Sequence, residues 1–149
     1  DSIWEQFCQL HFQAAKRKTR SQKTWDIQSE TIKNGIAKLI YITEKKTGKL
    51  ISGSLYHYTR DDMVYSSNAS LAEYKKNYLG HKTQFFSIKL FKNKKIKYYY
   101  LSYDINSNDF EGIEIDEKFK QVLNFKSGFG KTKKLRKIYY LTKKSHGLN

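Results

Sequence analysis

Two titratable side chains stand where they could move a proton on or off an amine. His81 follows Gly80 at the start of a helical pattern, where its imidazole could act as a base or as a hydrogen-bond partner. Asp104 ends a tyrosine-rich segment, and its carboxylate could orient an amine or accept its proton. Structural roles fit the same residues, since His81 could cap the helix and Asp104 could form a turn.

Basic and aromatic side chains could bind an anionic substrate. Lys75 and Lys76 precede Gly80, where a helix start offers free backbone N–H groups to a phosphate. Lys126 follows an apolar helical face and could contact a phosphate or carboxylate. Tyr103 belongs to an alternating tyrosine segment that could stack on a base or sugar. Solvated lysines and core tyrosines are the simpler alternatives.

Nucleophilic and metal-dependent mechanisms find no support in the residue pattern. Cys8 is the one cysteine, and its apolar neighbours at helical spacing predict a buried structural thiol. Neither a disulfide framework nor a cysteine-based metal site can form within the chain. The sequence also lacks a Gly-x-Ser-x-Gly elbow. We therefore expect no catalytic nucleophile and no bound metal.

The net charge indicates an anionic partner but does not distinguish one class of partner from another. The 149 residues include 29 lysines and arginines against 14 aspartates and glutamates, a formal charge of +15 that attracts phosphates, nucleic acid or anionic lipids. An A/T-rich genome would give a similar composition. No apolar run reaches the roughly 20 residues of a membrane helix. Because the chain also begins without methionine, we expect a fragment of a longer protein. We expect it to be cytoplasmic, where it could work at the inner face of the membrane.

Hydrophobic spacing predicts two helices at the start of the chain. Apolar residues at i, i+4 and i+7 predict a helix over residues 3–16. A second helix begins at Ser21 or Thr24, either of which could cap it. His11 and Trp25 fall on the apolar faces of these helices, so we expect both to pack in the core.

The remaining pattern alternates strands and helices. Three segments joined by short turns predict an antiparallel meander over Ala37–Thr43, Leu50–Thr59 and Met63–Asn68. A helix over His81–Asn93 follows, with a broad apolar face that predicts burial. That face comprises Phe85, Phe86, Ile88, Leu90 and Phe91. A strand over Ile96–Ile105 then completes a crossover between parallel neighbours. The last elements are a helix from Asp116-Glu117 to Gly128 and a strand near Lys137–Thr142.

This order predicts one α/β (α+β) domain over residues 1–149, with a mixed sheet flanked by helices. It is similar to the acetyltransferase-like GNAT fold without its leading strand. Element order alone does not establish function, because one fold serves many activities.

Three segments, in order along the chain, resemble the FemAB-related branch of the GNAT-type acyltransferases. They are Leu10-His11 through Lys18-Thr19-Arg20-Ser21 to Thr24-Trp25, then Gly80-His81, then Phe125-Lys126-Ser127-Gly128-Phe129. The resemblance implies direct transfer of an acyl or aminoacyl group to an amine of a cell-envelope or surface-saccharide precursor. It also implies that Arg20 grips an anionic substrate, although a surface loop is the simpler alternative. FemAB-like proteins usually carry two such domains, so an upstream half is expected.

The resemblance leaves the donor open between acyl-CoA and aminoacyl-tRNA. Acyl-CoA-dependent relatives carry a basic-x-x-Gly-x-Gly/Ala loop, whereas Lys75 to His81 offers only one glycine. Expected partners are therefore anionic substrates in general: acyl-CoA, tRNA, or a nucleotide- or lipid-linked sugar. Two alternatives compete with an active transferase. One is a non-catalytic, basic nucleic-acid-binding module, and the other is an inert half of a two-domain enzyme.

Overall fold

Two capped helices begin the chain in the computed structural model. Helix α1 spans Ile3–Ala15, and Ser2 caps it in a reciprocal capping box with Glu5. Helix α2 spans Gln22–Lys33, and the Ser21 side chain accepts a hydrogen bond from the Thr24 backbone N–H. The predicted pair of helices is confirmed, and the cap of α2 is Ser21.

The structure describes residues 2–101 and 117–130, and the chain divides into two units, Asp1–Ser102 and Tyr103–Asn149. In the second unit, the predicted helix is confirmed as α4, Glu117–Ser127. The predicted site residues Tyr103 and Asp104 lie outside the described residues, as does the last predicted strand. The prediction that residues 1–149 form one domain, and that this domain belongs to a longer protein, stays a prediction.

A four-stranded mixed sheet forms the centre of the first unit. The antiparallel meander is confirmed as β1, Ala37–Thr43, β2, Leu50–Tyr58, and β3, Asp62–Ser70. A 3-10 turn over Ala72–Asn77 and helix α3, Leu79–Asn93, then lead to β4, Tyr98–Tyr100. Strand β4 pairs with β3 in parallel, so the predicted crossover is also confirmed.

One face of the sheet packs against α1 and α2. Phe7, fully buried, lies at the centre of this core with Leu55 and Trp25. A Cβ added to Gly53 in β2 would lie 2.6 Å from Phe7 Cδ2, so glycine lets the helix approach the sheet closely. Burying a phenylalanine here contributes on the order of 2 kcal/mol to folding.

The other face of the sheet packs against α3, and the predicted buried face of this helix was wrong in part. Phe85 and Phe86, predicted to be buried, are 61% and 56% exposed, and Ile88 is exposed as well. Phe91 is buried, as predicted, and so is Leu79, but the other buried side chains of the helix are polar: Thr83, Gln84 and Ser87. Partners on the helix and sheet satisfy the buried hydroxyls, which removes the penalty that normally keeps them outside.

Candidate functional site

Strands β3 and β4 pair over three residues each in the part of the chain that the structure describes. They pair only from Asp62 to Val64 on β3, opposite Tyr98 to Tyr100 on β4. Within the described residues, the outer edge of β3 from Ser66 to Ser70 has no strand partner. A bulge in β3 at Ser66, between residues paired with Tyr56 and Leu55 of β2, marks the start of this open edge. A strand edge of this kind can pair with an extended ligand through its backbone groups.

The N-terminus of α3 follows the open edge of β3. Tyr78 precedes the helix in a left-handed conformation, with φ of 52°, and makes no side-chain cap. The first turn of α3 carries no acidic residue. Backbone N–H groups and the positive end of the helix dipole therefore form a surface suited to an anion.

Four of the predicted site residues meet around this helix start. Gly80 is the second residue of α3, and its carbonyl accepts a hydrogen bond from Thr83 Oγ1 at 2.9 Å. His81 is the third residue and is exposed, with its ring edge-on to Tyr78 at 5.9 Å. Lys76 is exposed in the preceding 3-10 turn, which also contains the backbone of Lys75. These four residues are grouped because they are close in sequence and lie just before or within the first turn of α3.

Arg20, the predicted substrate-binding arginine, lies elsewhere, in the link between α1 and α2. Its guanidinium stacks over the Trp25 ring, 5.0 Å from the centroid, and contacts His11 Nε2 at 3.0 Å. Trp25 is a core residue, as predicted. His11 is only half-buried and both its ring nitrogens have partners, so it orients Arg20 as well as packing against Phe7.

Lys126 lies in the last turn of α4, in the second unit of the chain. Its side chain is half-buried, and burial lowers the pKa of the amine. Its predicted contact with a substrate stays a prediction.

A polar network that the sequence analysis missed connects β2, β3 and α3. Ser54 Oγ donates to Thr83 Oγ1 at 2.9 Å, and the Asn68 amide donates to Ser54 Oγ at 2.8 Å. Tyr99 of β4 donates to the Gln84 side-chain oxygen. A signal was present in the Ser52-x-Ser54 alternation and in the i, i+4 spacing of Thr83 and Ser87.

The three tyrosines at this network are Tyr56, Tyr65 and Tyr99, and burial raises the pKa of each. Their phenols therefore stay protonated throughout the physiological range. A protonated phenol is a hydrogen-bond donor, and Tyr99 uses its proton in the bond to Gln84.

The Cys8 thiol, predicted to be buried, is only half-buried. Burial, with smaller effects from Asp26 and Glu5, raises its pKa to about 11. A thiol that stays protonated is a poor nucleophile, which agrees with the structural role predicted for it. Across residues 2–101 and 117–130, no group of three or more metal-ligating side chains comes together. No helix in those ranges has the length and apolar character needed to cross a membrane.

No protein-family model and no curated protein sequence matches this chain significantly, but solved structures do. AAC(6')-Iy, in complex with the bisubstrate analogue CoA-S-monomethyl-acetylneamine, matches with a TM-score of 0.65 and 11% identity over 94% of this chain and 91% of that one. Glucosamine-6-phosphate N-acetyltransferase from Arabidopsis thaliana matches with a TM-score of 0.58 and 12% identity, over 93% of this chain and 92% of its own. A Trypanosoma brucei acetyltransferase has a TM-score of 0.62 and 9% identity, covering 93% and 92%.

These likenesses confirm the predicted fold. The chain has the GNAT acetyltransferase fold, a mixed sheet flanked by helices. The finer resemblance to the FemAB-related branch stays a prediction.

Proposed function

We propose that this chain is an N-acyltransferase that moves an acyl group from an activated donor to an amine. The observation that carries the proposal is the outer edge of β3 beyond Val64, which has no strand partner among the described residues, followed by a helix start without a side-chain cap. An open strand edge can hold an extended donor arm through backbone hydrogen bonds, while the helix start binds the donor's phosphates. The acetyltransferase fold supports the same activity.

The positive charge around the start of α3 is complementary to the negative charge of the donor's phosphates. Lys76 and Lys82 are exposed on either side of Gly80, and the first turn of the helix has no carboxylate to repel an anion. Tyr78 stands where a basic-x-x-Gly-x-Gly loop starting at Lys75 would place its first glycine, and its backbone is left-handed, as glycine favours. The Tyr78 side chain is 69% exposed. These features support acyl-CoA as donor and leave aminoacyl-tRNA as a second proposal, because both carry phosphates.

The reaction needs a neutral amine and stabilisation of the oxyanion that forms on the acyl carbon. The amine nitrogen attacks that carbon, the bond to the donor's sulfur or oxygen breaks, and the released thiol or hydroxyl takes up a proton. Backbone N–H groups on the open edge of β3 would stabilise the oxyanion. His81 is our candidate for receiving the amine proton, directly or through water. Asp104, Tyr103 and Lys126 remain candidates from the sequence.

The acceptor we propose is an amine on a cell-envelope or surface-saccharide precursor. Support for this finer statement comes from the three FemAB-like segments, which contain Arg20, His81 and Lys126.

A transfer assay with separate donors tests the proposal. We expect the chain to acylate an amino sugar with acetyl-CoA, a longer acyl-CoA or aminoacyl-tRNA, and the active donor to raise its melting temperature. Replacing Lys76 and Lys82 with glutamine should weaken donor binding about tenfold. The matched control replaces Lys45 and Lys46, exposed lysines in the β1–β2 turn, and should leave binding unchanged. If no donor supports transfer and no donor raises the melting temperature, the proposal is rejected.

A second candidate function, nucleic-acid binding, has a specific observation in its favour. The exposed face of α3 presents Phe85 and Phe86 among Lys82, Lys89 and Lys92, and the helix contains no acidic residue. Aromatic rings among lysines can stack on bases and contact phosphates. RNA affinity that falls steeply with salt and is lost on Phe85→Ala, with acyl transfer absent, would favour this function.

A further inference from the structure

A cavity of about 480 Å³ lies between α1 and α2. It is lined by both helices and by the link that joins them, including Cys8, Phe12, Lys18, Thr19, Arg20 and Trp25. A volume of this order suits a small molecule of about the size of a sugar. Phe12 is 57% exposed and adds apolar surface to a lining that also includes the polar residues of the link.

The Arg20 guanidinium is held in this cavity on two sides. Trp25 stacks against it, and its Nη1 lies 3.0 Å from His11 Nε2. An arginine can only donate, so Nε2 accepts and the imidazole is neutral with its proton on Nδ1. Nδ1 then donates to Thr19 Oγ1 at 3.1 Å, which leaves the Thr19 hydroxyl with its own proton to give. Arg20 and Thr19 thus present donors in fixed positions.

No carboxylate of residues 2–101 and 117–130 forms an ion pair with this cation. Among the residues that the structure describes, the ion pairs join Lys33, Lys97 and Lys120 to their acids, and none includes Arg20. The side chain is half-buried, and burial lowers the pKa of its guanidinium. A partly desolvated cation beside a cavity is stabilised by an anion that enters from solution. Lys18 adds a second positive charge to the lining.

We infer that the α1–α2 cavity binds a small molecule through its carboxylate or phosphate group, which accepts hydrogen bonds from Arg20 and Thr19. The body of the ligand packs against Phe12 and Trp25. The shared chemistry is an oxyanion on a sugar-sized molecule. This inference concerns α1 and α2 and does not depend on acyl transfer.

Calorimetric titration of the full chain tests the site with three probes of similar size. Glucose 6-phosphate and glucuronate carry the two kinds of oxyanion, and glucose is the neutral control. We expect binding of at least one anionic probe, no binding of glucose, and a loss of about tenfold or more in affinity on Arg20→Gln. The matched variant Arg17→Gln removes the same charge from an exposed position in the same link and should change the affinity by less than about twofold.

Further variants keep the test decisive if Arg20→Gln does not fold. Thr19→Val removes only the donating hydroxyl and should weaken binding several-fold, with the melting temperature of the free chain as the check on folding. The relative affinities for glucose 6-phosphate and glucuronate identify which oxyanion the site prefers. The inference is overturned if neither anionic probe binds at millimolar concentration, if Arg17→Gln costs as much as Arg20→Gln, or if folded Thr19→Val binds as the original chain does.

Discussion

The Ser54 hydroxyl of β2 donates a hydrogen bond to Thr83 Oγ1 of α3 at 2.9 Å, and both side chains are fully buried. Thr83 in turn donates to the Gly80 carbonyl in the first turn of the helix, also at 2.9 Å. A continuous chain of hydrogen bonds therefore runs from the sheet to the helix start proposed to bind the donor. This contact fixes where α3 begins relative to β2.

Removing the Thr83 hydroxyl should destabilise the first unit. Thr83→Val keeps the shape of the side chain but takes the acceptor away from Ser54, so we expect the free energy of unfolding to fall by about 1–3 kcal/mol. Urea denaturation measures it. Thr43→Val, at an exposed position in β1, is the control and should change stability by about 0.5 kcal/mol or less. Equal effects of the two substitutions would contradict the importance of the contact.

Adding a methyl group at Gly53 should force α1 away from the sheet. The new Cβ would lie 2.6 Å from Phe7 Cδ2, so Gly53→Ala should cost about 1–3 kcal/mol of stability. Gly130→Ala meets nothing within 4 Å and serves as the control. Replacing the Phe7 ring with a smaller side chain should relieve the clash. Phe7→Leu combined with Gly53→Ala should therefore cost less stability than the sum of the single changes. Strict additivity, measured by urea denaturation, would contradict direct contact.

Replacing Tyr78 with glycine should improve phosphate binding at α3. A non-glycine residue in the left-handed region costs about 1 kcal/mol, and glycine also lets a ligand approach the backbone. Tyr78→Gly should therefore tighten binding of the active donor, as measured by calorimetry. Lys16→Gly is a matched control, because Lys16 has a similar φ of 54° at the end of α1. Weaker donor binding by Tyr78→Gly would mean that the tyrosine ring itself contacts the donor.

Two histidines should make the folded state sensitive to acid. Burial lowers the pKa of His11, with a smaller effect from Arg20, and burial lowers the pKa of His57, which lies between Thr31 and Ser66. Near pH 8 both are neutral in the folded and unfolded states. As pH falls below the ordinary histidine pKa of about 6.5, the unfolded chain binds protons first and stability declines.

Urea denaturation at pH 7.5 and pH 5.5 measures this dependence. The His11→Gln, His57→Gln double variant should lose less stability between these two values than the original chain does. An unchanged loss would assign the acid sensitivity to other groups.

Over the residues that the structure describes, the sequence by itself determined the order of the helices and strands and most of their boundaries. Local rules act within a few residues: Ser2 and Ser21 cap their helices, and a β-type segment bounded by turn signals defines β1 over Ala37–Thr43, as predicted. The crossover from β3 to β4 also followed from local pattern, because a strand, helix and strand in series pack in one way.

Only the tertiary structure decided which side of α3 faces the sheet. Phe85 and Phe86 favour burial by transfer free energy, yet Thr83 and Ser87 are buried, because distant hydroxyls on β2 and nearby carbonyls satisfy them. The same limit applies to His11, whose role in orienting Arg20 depends on how the link returns over α1. Sequence patterns record the polarity of each residue, whereas the cost of burying a polar group depends on partners that the fold brings from elsewhere in the chain.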